Sequence, residues 1–179
     1  MPHAAATPLG ALASALVGDL PEMPEHTPPE LAALVVLAMA REPSERLASA
    51  EAFGEGLTRY VASREADVVA AEARVALERA RASMATDEGA TSPSAFRALI
   101  EARFGLTSAL KMRPGDATIA TELDRAARGM VEREIALRSP DAARALLEEL
   151  TSRPPELVRA IDMLAAALAA ERRAAEALE

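Results

Sequence analysis

Residues 27–61 read TPPELAALVVLAMAREPSERLASAEAFGEGLTRYV, two helical patterns joined by a short charged hinge. In the first pattern Leu31, Leu34, Val35 and Ala38 share one face at helical spacing, and Val36, Leu37 and Met39 fill the others. A helix that is apolar nearly all round is expected to be buried on every side. In the second, Phe53, Leu57, Tyr60 and Val61 line one face, Ser49 stands where an N-cap belongs, and Glu51 lies near the positive helix end. Gly54 and Gly56 would each weaken this helix by about 1 kcal/mol if exposed. The hinge holds Pro43 and Arg46. A surface turn seldom needs an arginine so placed, so Arg46 calls for a role.

Outward from this stretch the same punctuation recurs. Thr7-Pro8 reads as a cap and first helical residue of a helix to about Val17, stopped by Gly18. DLPEMPEHTPP, 19–29, contains four prolines and must extend or turn. Residues 64–84 continue the second helix with mixed charges, as a solvated face would. TDEGATSP, 86–93, reads as a loop. Ser92-Pro93 opens a helix to about Met112, RPGD at 113–116 turns, and Asp116 caps a helix to about Leu137. Ser139-Pro140 opens a short helix to Leu150, TSRPP breaks it, and Pro155 starts a last helix that runs to the end. No segment alternates with period 2, so the chain is expected to be all-α, built of antiparallel helical hairpins.

Composition sets further bounds. Half the residues are hydrophobic but only 2% are aromatic, so alanine and leucine carry the apolar content, which favours helix. A net charge of -8 argues against nucleic acid as a partner, and against a membrane surface. There is no cysteine, and His3 and His26 sit in proline-rich segments as solvated loop residues rather than a ligand pair. The N-terminus has no secretory pattern. The longest apolar run, 31–40, is half of the roughly 20 residues a membrane span needs, so a cytoplasmic chain is expected.

The order and spacing of Pro28, Pro29, Glu30, Leu31, Ala38, Met39, Pro43, Arg46, Ser49, Ala50 and Leu57 closely resemble the last two helices of a bacterial serine/threonine protein kinase domain. MPHAAATPLGALASALVGDLP is similar to what precedes them there: the end of the "PPF" loop, with His3 in place of the phenylalanine, a small helix and a Gly-x-x-Pro exit. The resemblance implies that residues 1–62 are the end of a kinase C-lobe, truncated at its N-terminus, with the missing lobe upstream as their partner. The glycine-rich loop, strand lysine, catalytic aspartate and asparagine, and metal-binding aspartate would all precede Met1. Independently, the chain has no asparagine or glutamine, its only lysine is Lys111 in SALKMRPGD, and no Gly-x-Gly-x-x-Gly occurs. The chain alone is therefore expected to be inactive and without a cofactor, ATP and magnesium belonging to the parent kinase, and to hold no catalytic or metal residue. Pro43, Arg46 and Ser49 remain as structural motif residues. In the family the motif arginine pairs, buried, with the glutamate of an Ala-Pro-Glu triplet. None occurs here, and Met23-Pro24-Glu25 is out of place. Arg46 is expected to lack that partner, a loss of about 3–5 kcal/mol for a buried pair.

Residues 63–179 carry no catalytic constellation. Neighbouring Glu148 and Glu149 would point to different faces of a helix. Ala102, Leu106, Ala109, Leu110 and Pro114 resemble the second helix of a tetratricopeptide repeat, with a fainter echo in DAARALLEELTSRPPEL. That resemblance, or an irregular solenoid in its place, implies a protein-interaction region. The Ala/Leu face of the last helix is suited to dimerisation. Two expectations follow. A kinase fragment would expose the apolar faces of its first two helices; a free-standing helical adaptor would bury them.

Overall fold

The computed structural model describes residues 7–17, 22–85 and 87–177. The expectations for His3 and for a stop at Gly18 lie outside them. Among the described residues the fold is all-α, with no strand. In order come α1 (Pro8–Val17), α2 (Pro29–Ala38), a 3-10 turn (Pro43–Glu45), α3 (Ala50–Met84), α4 (Asp87–Ala90), α5 (Pro93–Met112), α6 (Ala117–Ala136), α7 (Pro140–Leu147) and α8 (Pro155–Glu176). The chain divides into two compact units, 1–64 and 65–179, and the division falls inside α3.

The helix starts follow local chemistry. Thr7 Oγ1 accepts from the Gly10 N–H at 3.1 Å, and Ser92 Oγ accepts from the Ser94 N–H at 3.2 Å. Asp116 Oδ1 accepts from both Thr118 and Ile119 N–H groups at 3.0 Å. Proline occupies the first turn of α1, α2, α5, α7 and α8, where its missing N–H costs nothing.

In the first unit, α2 departs from expectation. None of its residues is buried. Leu31, Leu34, Val35 and Ala38 are half-covered, whereas Val36 and Leu37 are 50% and 48% exposed. An all-round apolar pattern needs neighbours on all sides, and here only one side has them. Gly56 supplies part of that side: a Cβ there would lie 2.6 Å from Leu34 Cδ1. Its helix-weakening backbone is thus also a seat for Leu34. Gly54 has nothing within 4 Å of such a Cβ.

The second unit is built on an alanine seam. Ala66, Ala70, Ala73, Ala76, Leu77 and Ala80 of α3 are buried with Ala98, Leu99, Ala102, Leu106 and Ala109 of α5 in one cluster. Both rows keep 3- and 4-residue spacing, the mark of one helix face. The helices run antiparallel: Asp67 pairs with Arg113, Ala73 faces Gly105, and Arg79 pairs with Glu101 at 3.0 Å. Short side chains let the backbones approach, and a Cβ on Gly105 would stand only 2.8 Å from that of Ala73. Gly129 of α6 likewise gives way to Leu99. A second cluster joins Val131 of α6 to Ala143 and Leu147 of α7, Leu150 beyond it, and Leu157 and Ile161 of α8.

Two details correct the sequence reading. Segment 86–93 is not wholly a loop, since Asp87–Ala90 forms one helical turn. α7 stops at Leu147 rather than Leu150, because the chain tightens there and the Leu150 N–H bonds Leu147 O while its side chain enters the second cluster. After α6, Arg138 adopts a left-handed φ of 58°. There the Ser139 N–H reaches Glu134 O, a helix-ending bond that glycine usually serves. In the expected RPGD turn Gly115 takes φ 89°, where glycine is at ease.

Candidate functional site

The motif residues Pro43, Arg46 and Ser49 meet at one corner. α2 ends with the Met39 N–H on Val35 O, and the carbonyls that follow have no helix to bond to. Pro43 starts the 3-10 turn, where its lack of an N–H is harmless. The turn brings Arg46 back: its Nε donates to Ala40 O at 2.6 Å and its Nη2 donates to Arg41 O at 3.1 Å. A cation thus sits just past the negative end of α2, a favourable place for it. Ser49 Oγ then accepts from the Ala52 N–H at 3.1 Å and opens α3. Arg46 is exposed, so the expected cost of an unpaired buried guanidinium does not arise. Among the described residues no group of three or more histidines or acids can hold a metal ion. His26 is exposed in a turn.

Charge in the second unit is arranged around α6. Backbone N–H bonds, above all from Ile119, hold the Asp116 carboxyl below its ordinary pKa, and Arg113 adds to the effect. Arg113 also reaches Asp67 of α3. Arg74 Nε donates to both oxygens of Glu122 at 2.8 and 2.9 Å, which raises the Arg74 pKa further. A cleft of about 500 Å³ lies between the end of α3 and α6, with Leu77, Met84 and Leu99 among its apolar lining and Arg81, Arg125, Arg128 and Glu132 at its walls. Two of its arginines are engaged by neighbouring side chains. Arg81 is bonded to Glu78, and Arg128 to Asp124 and Ser152.

Glu132 is the perturbed group of this cleft. Desolvation lifts its pKa, outweighing the pull of Arg128 and Arg81, although the residue as a whole keeps solvent contact. A carboxyl with a raised folded-state pKa favours folding below its unfolded value, near 4.3, and that contribution is lost as pH rises through the folded value. Glu132→Gln is therefore expected to raise the melting temperature at pH 7 and to leave it nearly unchanged at pH 4. Equal melting of the two proteins at pH 7 would show that the carboxylate is fully hydrated.

Several interactions here have no one-residue signature in the sequence. Arg133 stacks on Phe96, 4.2 Å from the ring centre, and bonds Glu134 at 2.8 Å. Its buried Nε lacks a hydrogen bond, and the ring face is the compensation. Of the repeat-like positions, Ala102, Leu106 and Ala109 point into the α3/α5 core, and Leu110 packs against it. Compared with known protein families, curated proteins and solved structures, the chain matches none. No helix among the described residues is long and apolar enough to cross a membrane.

Proposed function

We propose that residues 1–62 are the closing helices of a bacterial serine/threonine kinase C-lobe and that residues 63–179 are a helical, tetratricopeptide-like protein-binding region. In this reading the parent protein phosphorylates protein hydroxyls with ATP and magnesium through residues outside this chain. The chain itself contributes lobe structure and partner binding in the cytoplasm. The observation that carries it is the open apolar surface of the first unit. Leu9, Leu12, Leu16 and Val17 of α1 are 76%, 58%, 68% and 56% exposed, alongside Val36 and Leu37 of α2. Exposed apolar side chains in this number mark a place where another body packs, and a self-contained adaptor would cover them. Arg46 supports the same reading. It uses two of its N–H groups on Ala40 and Arg41 and remains exposed, with donors left for a carboxylate from elsewhere in a lobe.

The test is the triple substitution Leu12→Ser, Leu16→Ser and Leu37→Ser. A hydrophobic dye should brighten with the native chain and lose most of that signal with the variant, while the melting temperature stays put. A large drop in melting temperature would mean these leucines belong to the chain's own core, and the free-standing adaptor would replace the lobe reading. ATP-dependent phosphotransfer by the purified chain would overturn it as well.

A further inference from the structure

We infer that the outward face of α5 is a docking surface for an acidic amphipathic helix of a partner protein. This names the partner chemistry of the region proposed above to bind protein, and it does not depend on the kinase-lobe reading.

α5 has two contrasting faces. One is the buried row from Ala95 to Ala109. The other, half a turn away, carries Arg97, Ile100, Phe104, Thr107, Ser108 and Lys111 at the spacing of a single stripe. Phe104 is 75% exposed and Ile100 45%. The chain has only three phenylalanines, and it places one of them almost wholly in solvent. Beside the stripe lies a groove of about 420 Å³ that runs along α5 from Ile100 to Lys111 and takes in Met130 of α6. Met130 is held there by Arg103, whose Nη1 lies 3.7 Å from its sulfur. A thioether beside an exposed ring makes a soft, adaptable seat for an aliphatic side chain.

Charge selects the occupant. The chain as a whole carries -8, yet the exposed cations of this stripe, Arg97 and Lys111, outnumber the single acid of α5. Glu101, the one acid of α5, borders the stripe four residues after Arg97 and is engaged by Arg79. Arg103 is answered by Glu149. Arg97 and Lys111 have no ion-pair partner among the described residues. They stand about 21 Å apart along the helix, at 1.5 Å per residue, with the apolar pair between them. A helix of about four turns matches that span. Its apolar side chains at i and i+4 would rest on Phe104 and Ile100, and its carboxylates would reach the two end cations, a helix-in-groove arrangement. A basic helix would meet like charge at both ends.

The probes are two fluorescein-labelled synthetic helices of about 18 residues. Both carry leucines at i, i+3, i+4 and i+7, with glutamate elsewhere in one and lysine elsewhere in the other. Anisotropy with the full chain at low salt should show binding of the glutamate helix and not of the lysine helix. Phe104→Ala should weaken binding about 30-fold, the effect of losing a central aromatic anchor. Arg97→Glu with Lys111→Glu should weaken it about tenfold, and the difference should shrink in salt. All these side chains are solvent-facing, so circular dichroism melts should match the native chain. Met163→Ala, on the exposed side of α8, should change nothing. Equal binding of both helices, or a glutamate helix indifferent to Phe104→Ala, overturns the assignment; in the second case the region still binds protein, elsewhere. Failure of the glutamate helix to bind also overturns it, as does preference for phosphatidylserine vesicles over the glutamate helix.

Discussion

Leu106→Ala is expected to lower the unfolding free energy of the second unit by about 3 kcal/mol, read as an earlier urea midpoint with an unchanged slope. Leu106 is fully buried in the larger cluster. The cost has two parts, the lost transfer of its methyl groups and the cavity left behind. The second part is expected to be large because the cluster that holds it is mostly alanine, with Ala102 and Ala109 on its own helix and five alanines of α3 among its members. An alanine has no rotamer by which to fill a hole, so the site can close only by moving a helix. A unit worth about 5–15 kcal/mol would feel this strongly. A loss below about 1 kcal/mol would mean that α5 shifts freely on α3, and that the seam is not close-packed.

The second large effect lies one residue away. Gly105→Ala puts a methyl group 2.8 Å from the Ala73 Cβ and 3.6 Å from both Ala73 Cα and Val69 O. None of these atoms can rotate out of the way, so the helices must part. Alanine is the better helix former by about 1 kcal/mol, and overpacking costs about 1–3 kcal/mol where a core is tight. With only backbone and a first side-chain carbon in contact, the upper end applies, and a net loss near 2 kcal/mol is expected. The companion measurement separates this from a simple helix effect. Ala73→Gly in the Gly105→Ala background removes the clashing carbon and should recover part of the loss, whereas Ala73→Gly alone should destabilise. Additive losses in the double variant would show that the two positions do not touch.

The helix starts were legible because they rest on neighbours in the chain. Thr7, Ser49, Ser92 and Asp116 cap helices within three residues of themselves, and proline marks five first turns. The class of fold follows from these and from 3.6-residue spacing. The core was harder to read. Alanine is favoured throughout helices, so the buried Ala66, Ala70, Ala73 and Ala80 look no different in sequence from the exposed alanines of α8. The apolar pattern of α2 alone does not settle its exposure, since hydropathy reports what a helix would bury and not whether a neighbour is there to cover it. At the motif corner, the positions of Pro43, Arg46 and Ser49 were evident from spacing, but the acceptors of Arg46 were not, because a backbone carbonyl leaves no residue signature. The raised pKa of Glu132 depends on desolvation in a cleft between helices distant in sequence, and no local pattern encodes it.

The corner at Arg46 also bears on the order in which the chain folds. Its two hydrogen bonds span six and five residues. Closing a loop of this size takes on the order of 10–100 ns, before a hairpin of long helices can search for its register. Contacts this short in sequence carry little loop-closure penalty. The bend after α2 is thus available to the nascent chain as soon as Arg46 has been synthesised, and the cap that opens α3 once Ala52 follows, ahead of any distant contact.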